Sequence, residues 1–500
     1  MSAPTRPRQS FWDSLQEART VVSLLLLYCA VHVLVRFLLS PNLNLGEAEQ
    51  TLFGQSFRWS YRPDHPPLAT WLSWVTLAAS QNSRVALFLL REAVLALGLI
   101  AYFAAARAMI GDTRRAALAA FLLLATFGMG WLVHVGSMET VLLSTLCAAY
   151  LWADVRALTR GGIGDYVVLG AVTGLGVLSS YVFLVLPFGM SVAAALTPEL
   201  RARLRLPPLA IAAAVALVIV APYAYFAPYA FAGAPLAPVP SAFAILRGFA
   251  VALIVFALPA VLVFPALYPR AAKPLRSEDR EQTWLRFLKI AMLAALIAAA
   301  AAMLLFHARD AKASWVYPGL LPLPIYLFLR AQLAYGADTQ KRDKRIAGVV
   351  VLCAVAAIAG RIWSYETHAA SCKHCREYWP MPRYADAFRQ AGFLDGTIAA
   401  PEAGLAGNLR LSFPDARVVT PQAPARAFGP PVPGECLVVW QGDGNVPQRL
   451  RTYVTQTYGA RLEDRAMQGD VEATLLTSKT RKERMNFLIL AQGACDKPRP

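Results

Sequence analysis

Val21–Leu39, with the sequence VVSLLLLYCAVHVLVRFLL, is an apolar run long enough to cross the hydrocarbon core of a bilayer, which is about 30 Å thick. A second run of this kind extends from Ile290 to Phe306. Of the 500 residues, 57% are hydrophobic and 16% are charged, whereas soluble domains carry about 25% charged residues. The sequence therefore predicts a mostly α-helical, polytopic transmembrane bundle and excludes a soluble globular chain.

The first apolar run is expected to remain in the protein as a membrane helix. It is too long for a signal peptide, and no small-residue cleavage site follows it. The net charge of +17 does not indicate nucleic-acid binding, because the basic residues cluster between the apolar runs. Such clusters are explained by the positive-inside rule and by contact with anionic lipid headgroups. We expect membrane lipids as partners, and no nucleic acid.

The hydropathy pattern predicts about eleven spans, near residues 20–40, 83–109, 114–131, 138–155, 164–179, 182–197, 207–226, 244–268, 287–306, 314–331 and 346–363. Arginines and lysines precede the first span and dominate every loop after an even-numbered span, as expected of cytoplasmic segments. We therefore expect a bacterial inner-membrane protein with a cytoplasmic N-terminus. The loop 41–82 and the C-terminal region are expected in the periplasm. Within that loop, Leu68–Ala79 is predicted to form an interfacial helix.

The composition changes near residue 364, where apolar runs become short and Gly, Pro, Asp and Arg become frequent. Three segments are predicted to be strands and two to be amphipathic helices: 397–400, 416–419 and 436–440, then 381–392 and 447–458. The sequence thus predicts a transmembrane catalytic domain over residues 1–363 and a small periplasmic α/β domain over residues 364–500.

Four of the seven cysteines lie in the predicted C-terminal domain: Cys372, Cys375, Cys436 and Cys495. An even number in an oxidising compartment favours disulfides, whose pairing the sequence leaves open. The alternative is that the first two belong to a zinc site, although no matching second pair follows. Elsewhere the histidines are scattered singly and assign no metal ligands, so a divalent metal ion stays open as a cofactor.

Carboxylates and cations concentrate in the segments expected on the periplasmic side. Such a set suits transfer of a group from a phosphate-bearing lipid, because a carboxylate can accept a proton from the acceptor and cations stabilise charge on the leaving phosphate. The candidates are Glu47, Glu49, Asp64, His65, His134, Glu139, His307, Arg309, Asp310 and Lys312. The alternatives are solvated loop charges and, for the three glutamates, acids favoured in the first turn of a helix.

Three short motifs resemble those of the GT-C glycosyltransferases, and more narrowly of the group that contains dolichyl-phosphate-mannose protein mannosyltransferases and aminoarabinose lipid A transferases. They are Gly46-Glu47-Ala48-Glu49, Tyr61-Arg62-Pro63-Asp64-His65-Pro66-Pro67-Leu68 and Met138-Glu139-Thr140. The stretches Gly174–Tyr181 and Lys312–Pro318 are also similar to that family. The resemblance covers most of residues 20–363.

The resemblance implies an inverting transfer of a hexosyl or pentosyl group from a polyprenyl-phosphate donor. It places the catalytic carboxylates among Glu47, Glu49 and Glu139. It adds Tyr61 and Trp315 to the substrate-binding candidates. The acceptor is expected to be lipid A or other lipopolysaccharide, with protein or another envelope glycan as the alternative.

The sequence departs from the family pattern at two positions. Gly46 stands where the family has an aspartate, its usual candidate base, and Ser180 stands where a lysine is often found. Three explanations of Gly46 are open: Glu47 or Glu49 acts as base, the acceptor is an already anionic phosphate, or the protein is catalytically impaired. We predict Glu47 as the base.

Two other function classes are weighed against the enzyme. A transporter or flippase for a lipid-linked sugar would be expected to show internal repeats and charges at the bilayer centre, and the sequence shows neither. A noncatalytic scaffold of a glycan-assembly complex is kept open by Gly46. The C-terminal domain is expected to bind or position the acceptor.

Overall fold

The structure is a computed structural model that describes residues 11–61, 65–227, 240–272, 280–307, 313–336, 339–369, 371–372, 375–442 and 444–496. Its α-helices in chain order are α1 Phe11–Ser14, α2 Ala18–Leu39, α3 Leu45–Phe53, α4 Leu68–Ala79, α5 Arg84–Ile110, α6 Thr113–Leu124, α7 Val133–Val135, α8 Met138–Arg160, α9 Ile163–Ser179, α10 Val185–Leu196, α11 Pro198–Arg201, α12 Leu206–Phe226, α13 Ala242–Leu267, α14 Arg280–Leu305, α15 Ala313–Leu320, α16 Leu323–Tyr335, α17 Gln340–His368, α18 Met381–Gln390, α19 Ala403–Ser412 and α20 Gln448–Tyr453. The strands are β1 Gly396–Ala399, β2 Arg417–Val419, β3 Glu435–Gln441, β4 Arg465–Thr474 and β5 Lys482–Leu490.

Seven helices in the described part of the chain are long and apolar enough to cross a membrane: α2, α5, α8, α12, α13, α14 and α17. An eighth span would combine α6 with Gly128–Val135, which are bent by 69° relative to each other. The fold is therefore that of a polytopic, mostly helical membrane protein, as predicted. Among the described residues, fewer long helices are present than the eleven predicted spans. The predicted spans at 164–179 and 182–197 contain the short helices α9 and α10, and the predicted span at 314–331 is divided into α15 and α16, with two residues between them.

The C-terminal region contains a five-stranded mixed sheet in the order β2-β1-β3-β5-β4. Strand β1 pairs in parallel with β2 and β3, whereas β5 pairs antiparallel with β3 and β4. The three predicted strands are present as β1, β2 and β3. The sequence missed β4 and β5. Six of the ten residues of β4 are exposed, and its sequence RAMQGDVEAT contains no apolar run.

Helix α3, in the first long loop, packs into the C-terminal domain and not only onto the membrane helices. Leu52 and Phe53 belong to the same buried apolar cluster as the sheet. The amide of Gln55 accepts from the Val418 backbone N–H (2.8 Å) and donates to the Val418 carbonyl (2.8 Å), so it extends the edge of β2. We call the end of the helical bundle that carries the sheet the domain face. The predicted boundary at residues 363 and 364 stays a prediction.

Two disulfides, Cys372–Cys375 and Cys436–Cys495, connect the four cysteines of the C-terminal region. Disulfide sulfurs are not thiolate ligands, so this pairing removes the zinc alternative at these positions. The first disulfide lies just after α17. In the next segment, the Glu377 and Trp379 carbonyls accept from the Asn42 side chain at 3.2 and 2.6 Å. The segment after α2 is thereby attached to the segment after α17.

Candidate active site

Helix α3 begins with a capping box that positions Glu47. The Asn44 side chain accepts from the Glu47 backbone N–H at 2.9 Å, and Oε2 of Glu47 accepts from the Asn44 backbone N–H at 3.0 Å. Asn44 and Glu47 have the one-to-four spacing of this motif, which satisfies N–H groups that the helix itself leaves unpaired. The local sequence therefore orients the carboxylate toward the start of α3.

Glu47 is also the centre of a buried ion-pair cluster. Nη2 of Arg36, from α2, lies 2.7 Å from Oε2, and Nη1 of Arg91, from α5, lies 3.1 Å from Oε1. Burial alone would raise the pKa of Glu47, but the two arginines and the hydrogen bonds outweigh it and lower that pKa. Both oxygens are occupied, and a carboxylate with a lowered pKa is a weaker proton acceptor. This environment is that of a structural anion.

Glu139, in the first turn of α8, has a different environment. Its Oε1 accepts from Nε2 of Gln50 at 3.1 Å and lies 3.0 Å from Nδ1 of His65. The Thr70 hydroxyl donates to Oε1 of Gln50 at 2.5 Å, which fixes the orientation of that amide. The side chains of Glu139 and His65 are 25% and 38% exposed. An acceptor hydroxyl can therefore reach this carboxylate–imidazole pair.

The structure brings together only part of the predicted site. Glu49 is half-buried on α3, and Trp315 is half-buried on α15. Tyr61 is buried; its hydroxyl donates to the Ser56 carbonyl at 2.9 Å, and burial raises its pKa to about 12. These contacts hold the loop and keep the phenol protonated. Other predicted residues lie outside the described residues, and their roles stay predictions: Asp64, Arg309, Asp310 and Lys312.

A second polar cluster lies inside the bundle next to Arg91; it contains the candidate His134, whose partners Glu92 and Tyr28 the sequence interpretation did not assign. Nδ1 of His134 is 3.1 Å from Oε1 of Glu92, and its Nε2 is 2.9 Å from the Tyr28 hydroxyl. Because a carboxylate only accepts, His134 carries its proton on Nδ1 and accepts from Tyr28. The available signal was the presence of arginine, glutamate and histidine inside apolar spans, which is costly unless they are paired or functional.

Among the described residues, no group of three or more His, Cys, Asp or Glu side chains is placed to hold a metal ion. Glu139 and His65 supply two donors at the candidate site.

Several known proteins are similar to this chain. The family described as dolichyl-phosphate-mannose-protein mannosyltransferase matches residues 64–226. The lipopolysaccharide core galacturonosyltransferase RgtA of Rhizobium johnstonii is 29% identical over an alignment of 472 residues, and the match covers 87% of this chain and 91% of RgtA. RgtB of the same organism, also described as a lipopolysaccharide core galacturonosyltransferase, is 26% identical over an alignment of 434 residues, and the match covers 84% of this chain and 86% of RgtB.

The fold is shared with a solved structure. ArnT from Cupriavidus metallidurans, crystallised with undecaprenyl phosphate, matches with a TM-score of 0.60 and 15% identity. The match covers 95% of this chain and 99% of ArnT, so it includes both the helical bundle and the C-terminal domain. The family match, the two relatives and the shared fold agree with the motifs of the first loop. The chain therefore has the fold of a membrane glycosyltransferase and is similar over most of its length to two lipopolysaccharide core galacturonosyltransferases.

Proposed function

We propose that this protein transfers a galacturonic acid residue from a polyprenyl-phosphate donor to the core of lipopolysaccharide. The supporting observation is the similarity to RgtA, which extends through the bundle and the C-terminal domain and covers most of both chains. A polyprenyl-phosphate donor is supported by the shared fold with ArnT, whose structure contains undecaprenyl phosphate. The basic loops support a bacterial inner-membrane location with the domain face in the periplasm.

In the proposed mechanism, Glu139 is the general base. Its carboxylate accepts the proton of an acceptor hydroxyl while the hydroxyl oxygen bonds to the anomeric carbon of the sugar. The bond between that carbon and the polyprenyl phosphate breaks, and the phosphate leaves with the electron pair. Attack opposite the leaving group inverts the anomeric configuration. His65 and Gln50 orient the carboxylate through their contacts with Oε1.

This assignment replaces Glu47 as our preferred base. Both oxygens of Glu47 are engaged by arginines, whereas Glu139 is partly exposed and contacts a neutral amide and an imidazole. Arg309 and Lys312 remain proposed to stabilise the phosphate that leaves.

The test is transfer by purified full-length protein in detergent, with polyprenyl-phosphate galacturonate as donor and core lipopolysaccharide as acceptor. Mass spectrometry of the acceptor should show the addition of one uronic acid residue. Glu139→Gln should reduce turnover by about 100-fold or more, the usual contribution of a general base. The matched control, Glu139→Asp, should retain part of the activity if it still reaches the hydroxyl.

Two results would contradict the proposal. Full turnover in Glu139→Gln would remove this residue as the base. Failure of the wild-type protein to consume the lipid-linked donor in detergent, where no second compartment exists, would instead favour a transporter or scaffold.

A further inference from the structure

A cavity of about 100 Å³ lies at the domain face, between α2, α7 and α17 and beneath the segment that follows α17. Among the residues that line it are Arg36, Trp131, His134, Arg361, Tyr365 and Glu377. The cavity does not include Glu139 or His65. It is therefore separate from the carboxylate–imidazole pair described above.

Arg361 supplies an unpaired positive charge to this cavity. Its exposure is only 6%, and its Nη1 donates to Nδ1 of His32 at 2.7 Å. Within the described residues, no carboxylate forms an ion pair with it, and its other guanidinium nitrogens have no hydrogen-bond acceptor. A guanidinium carries five N–H donors and no acceptor, so most of its donors remain to be used.

Two acids, Glu92 and Glu377, act on that charge from nearby, but neither forms a direct ion pair with Arg361 among the described residues. Glu47 is shared by Arg36 and Arg91, and Glu92 lies against His134. Because Arg361 donates to Nδ1 of His32, that imidazole is neutral with its proton on Nε2. Apart from the bond to His32, the N–H donors of Arg361 are free to face the cavity, where an anion would pair with them directly.

The position of the cavity indicates where such an anion comes from. The two long helices beside it present apolar side chains outward: Leu38 on α2 is 71% exposed and Trp363 on α17 is 73% exposed. Exposed apolar side chains of this kind are expected to contact lipid. The cavity therefore lies where the membrane helices α2 and α17 meet the segment that follows α17. We therefore consider the headgroup of a membrane lipid as the source of the anion.

One lining group carries a carboxyl. Glu377 is half-buried at the wall of the cavity, and burial raises its pKa, while the charge of Arg36 opposes that rise. In its protonated form this carboxyl donates a hydrogen bond to an anion. The cavity then offers a guanidinium and a carboxyl donor to a ligand with several acceptor oxygens.

We propose that Arg361 binds the phosphate of a membrane lipid in this cavity. The lipid is a substrate or product of the transfer, either the polyprenyl phosphate or a phosphorylated lipopolysaccharide acceptor. The naming of these two lipids rests on the proposed function. The anion site itself rests on the unpaired buried guanidinium and the cavity beside it.

The experiment is native mass spectrometry of the full-length protein in detergent, with four probes. Undecaprenyl phosphate is compared with undecaprenol, and lipid A is compared with its dephosphorylated form. Arg361→Gln should weaken binding of a phosphorylated probe by about tenfold or more, as expected when a charged hydrogen-bond donor is lost. Binding of the uncharged counterpart should not change. Arg361→Lys, which keeps the charge, should recover part of the affinity.

Arg345→Gln is the matched control, because Arg345 is exposed near the other end of α17. It should bind every probe as the wild type does. Loss of undecaprenyl phosphate binding alone assigns the site to the donor side, and loss of lipid A binding alone assigns it to the acceptor. Unchanged binding of both phosphorylated probes to folded Arg361→Gln would overturn the proposal. If the wild type shows no transfer but Arg361→Gln still loses phosphate binding, only the proposed function fails.

Discussion

Glu47 and Glu139 are two acids of the candidate site that have different contacts and different exposure to solvent. Glu47 lies between two arginines with an exposed fraction of 7%, whereas Glu139 contacts an amide and an imidazole and is 25% exposed. The first arrangement stabilises a permanent anion. The second leaves a carboxylate that can exchange a proton with a ligand.

Glu47→Gln is expected to destabilise the protein. Removing one partner of a buried ion pair leaves Arg36 and Arg91 without a counter-charge, which costs about 3–5 kcal/mol. The thermal midpoint in detergent should fall clearly below that of the wild type. Glu49→Gln, on the same helix but half-buried, is the control and should unfold near the wild-type temperature. A Glu47→Gln protein with wild-type stability and no transfer would restore Glu47 as the base.

The ionised Glu47 carboxylate should make the stability of the protein depend on pH in the acidic range. Its folded pKa is lowered, so the stabilisation that it contributes is complete above the ordinary glutamate value of about 4.3. It is lost as the pH falls from there through the lowered folded pKa. The difference in thermal midpoint between wild type and Glu47→Gln should therefore narrow on acidification. A difference that stays constant with pH would contradict the ion-pair assignment.

Close packing at the start of α3 explains why residue 46 is a glycine. A Cβ added there would lie 2.5 Å from Cβ of Ser137, closer than real side chains approach. Restoring the family residue with Gly46→Asp should therefore destabilise the protein by about 1–3 kcal/mol without raising transfer. In a double-mutant cycle, Ser137→Gly should relieve the cost of Gly46→Ala. A stable Gly46→Asp variant with faster transfer would show that the missing aspartate limits activity.

At the scale of elements, the contact between α3 and α19 couples the C-terminal domain to the candidate site. Asn408 on α19 accepts from the Leu43 backbone N–H at 2.9 Å. Gln50, which holds Glu139, is carried by α3. A displacement of α19 should therefore move α3 and Gln50, and so change the position of the Glu139 carboxylate.

Gly407→Ala tests this coupling. A Cβ on Gly407 would overlap the backbone carbonyl of Ala48, which cannot move aside as a flexible side chain can. We expect a loss of about 1–3 kcal/mol in stability together with reduced transfer. Gly348→Ala is the control, because a Cβ there meets nothing within 4 Å on α17. Wild-type stability and turnover in Gly407→Ala would show that α3 and α19 are not coupled in this way.

At the scale of the whole molecule, the two disulfides should contribute unequally. Cys436–Cys495 closes a loop with a sequence separation of 59, and Cys372–Cys375 one of 3. The entropy lost by the unfolded chain grows with loop length. Replacing Cys436 and Cys495 by serine should cost about 2–5 kcal/mol of stability, and replacing Cys372 and Cys375 should cost less. Thermal midpoints without reductant check this, with Cys353→Ala, a free cysteine, as control.

The membrane-helical class, the change of composition near residue 364 and the motifs of the first loop could all be predicted from the amino-acid sequence. These features depend on local hydrophobicity, charge and spacing, and α4 and β1 accordingly lie within a residue or so of their predicted bounds. The pairing of Glu47 with arginines and of Glu139 with an imidazole is visible only in the folded protein. Glu47 meets Arg91, and Glu139 meets His65, across long separations in the chain. Such contacts depend on how the helices pack, which no local pattern specifies.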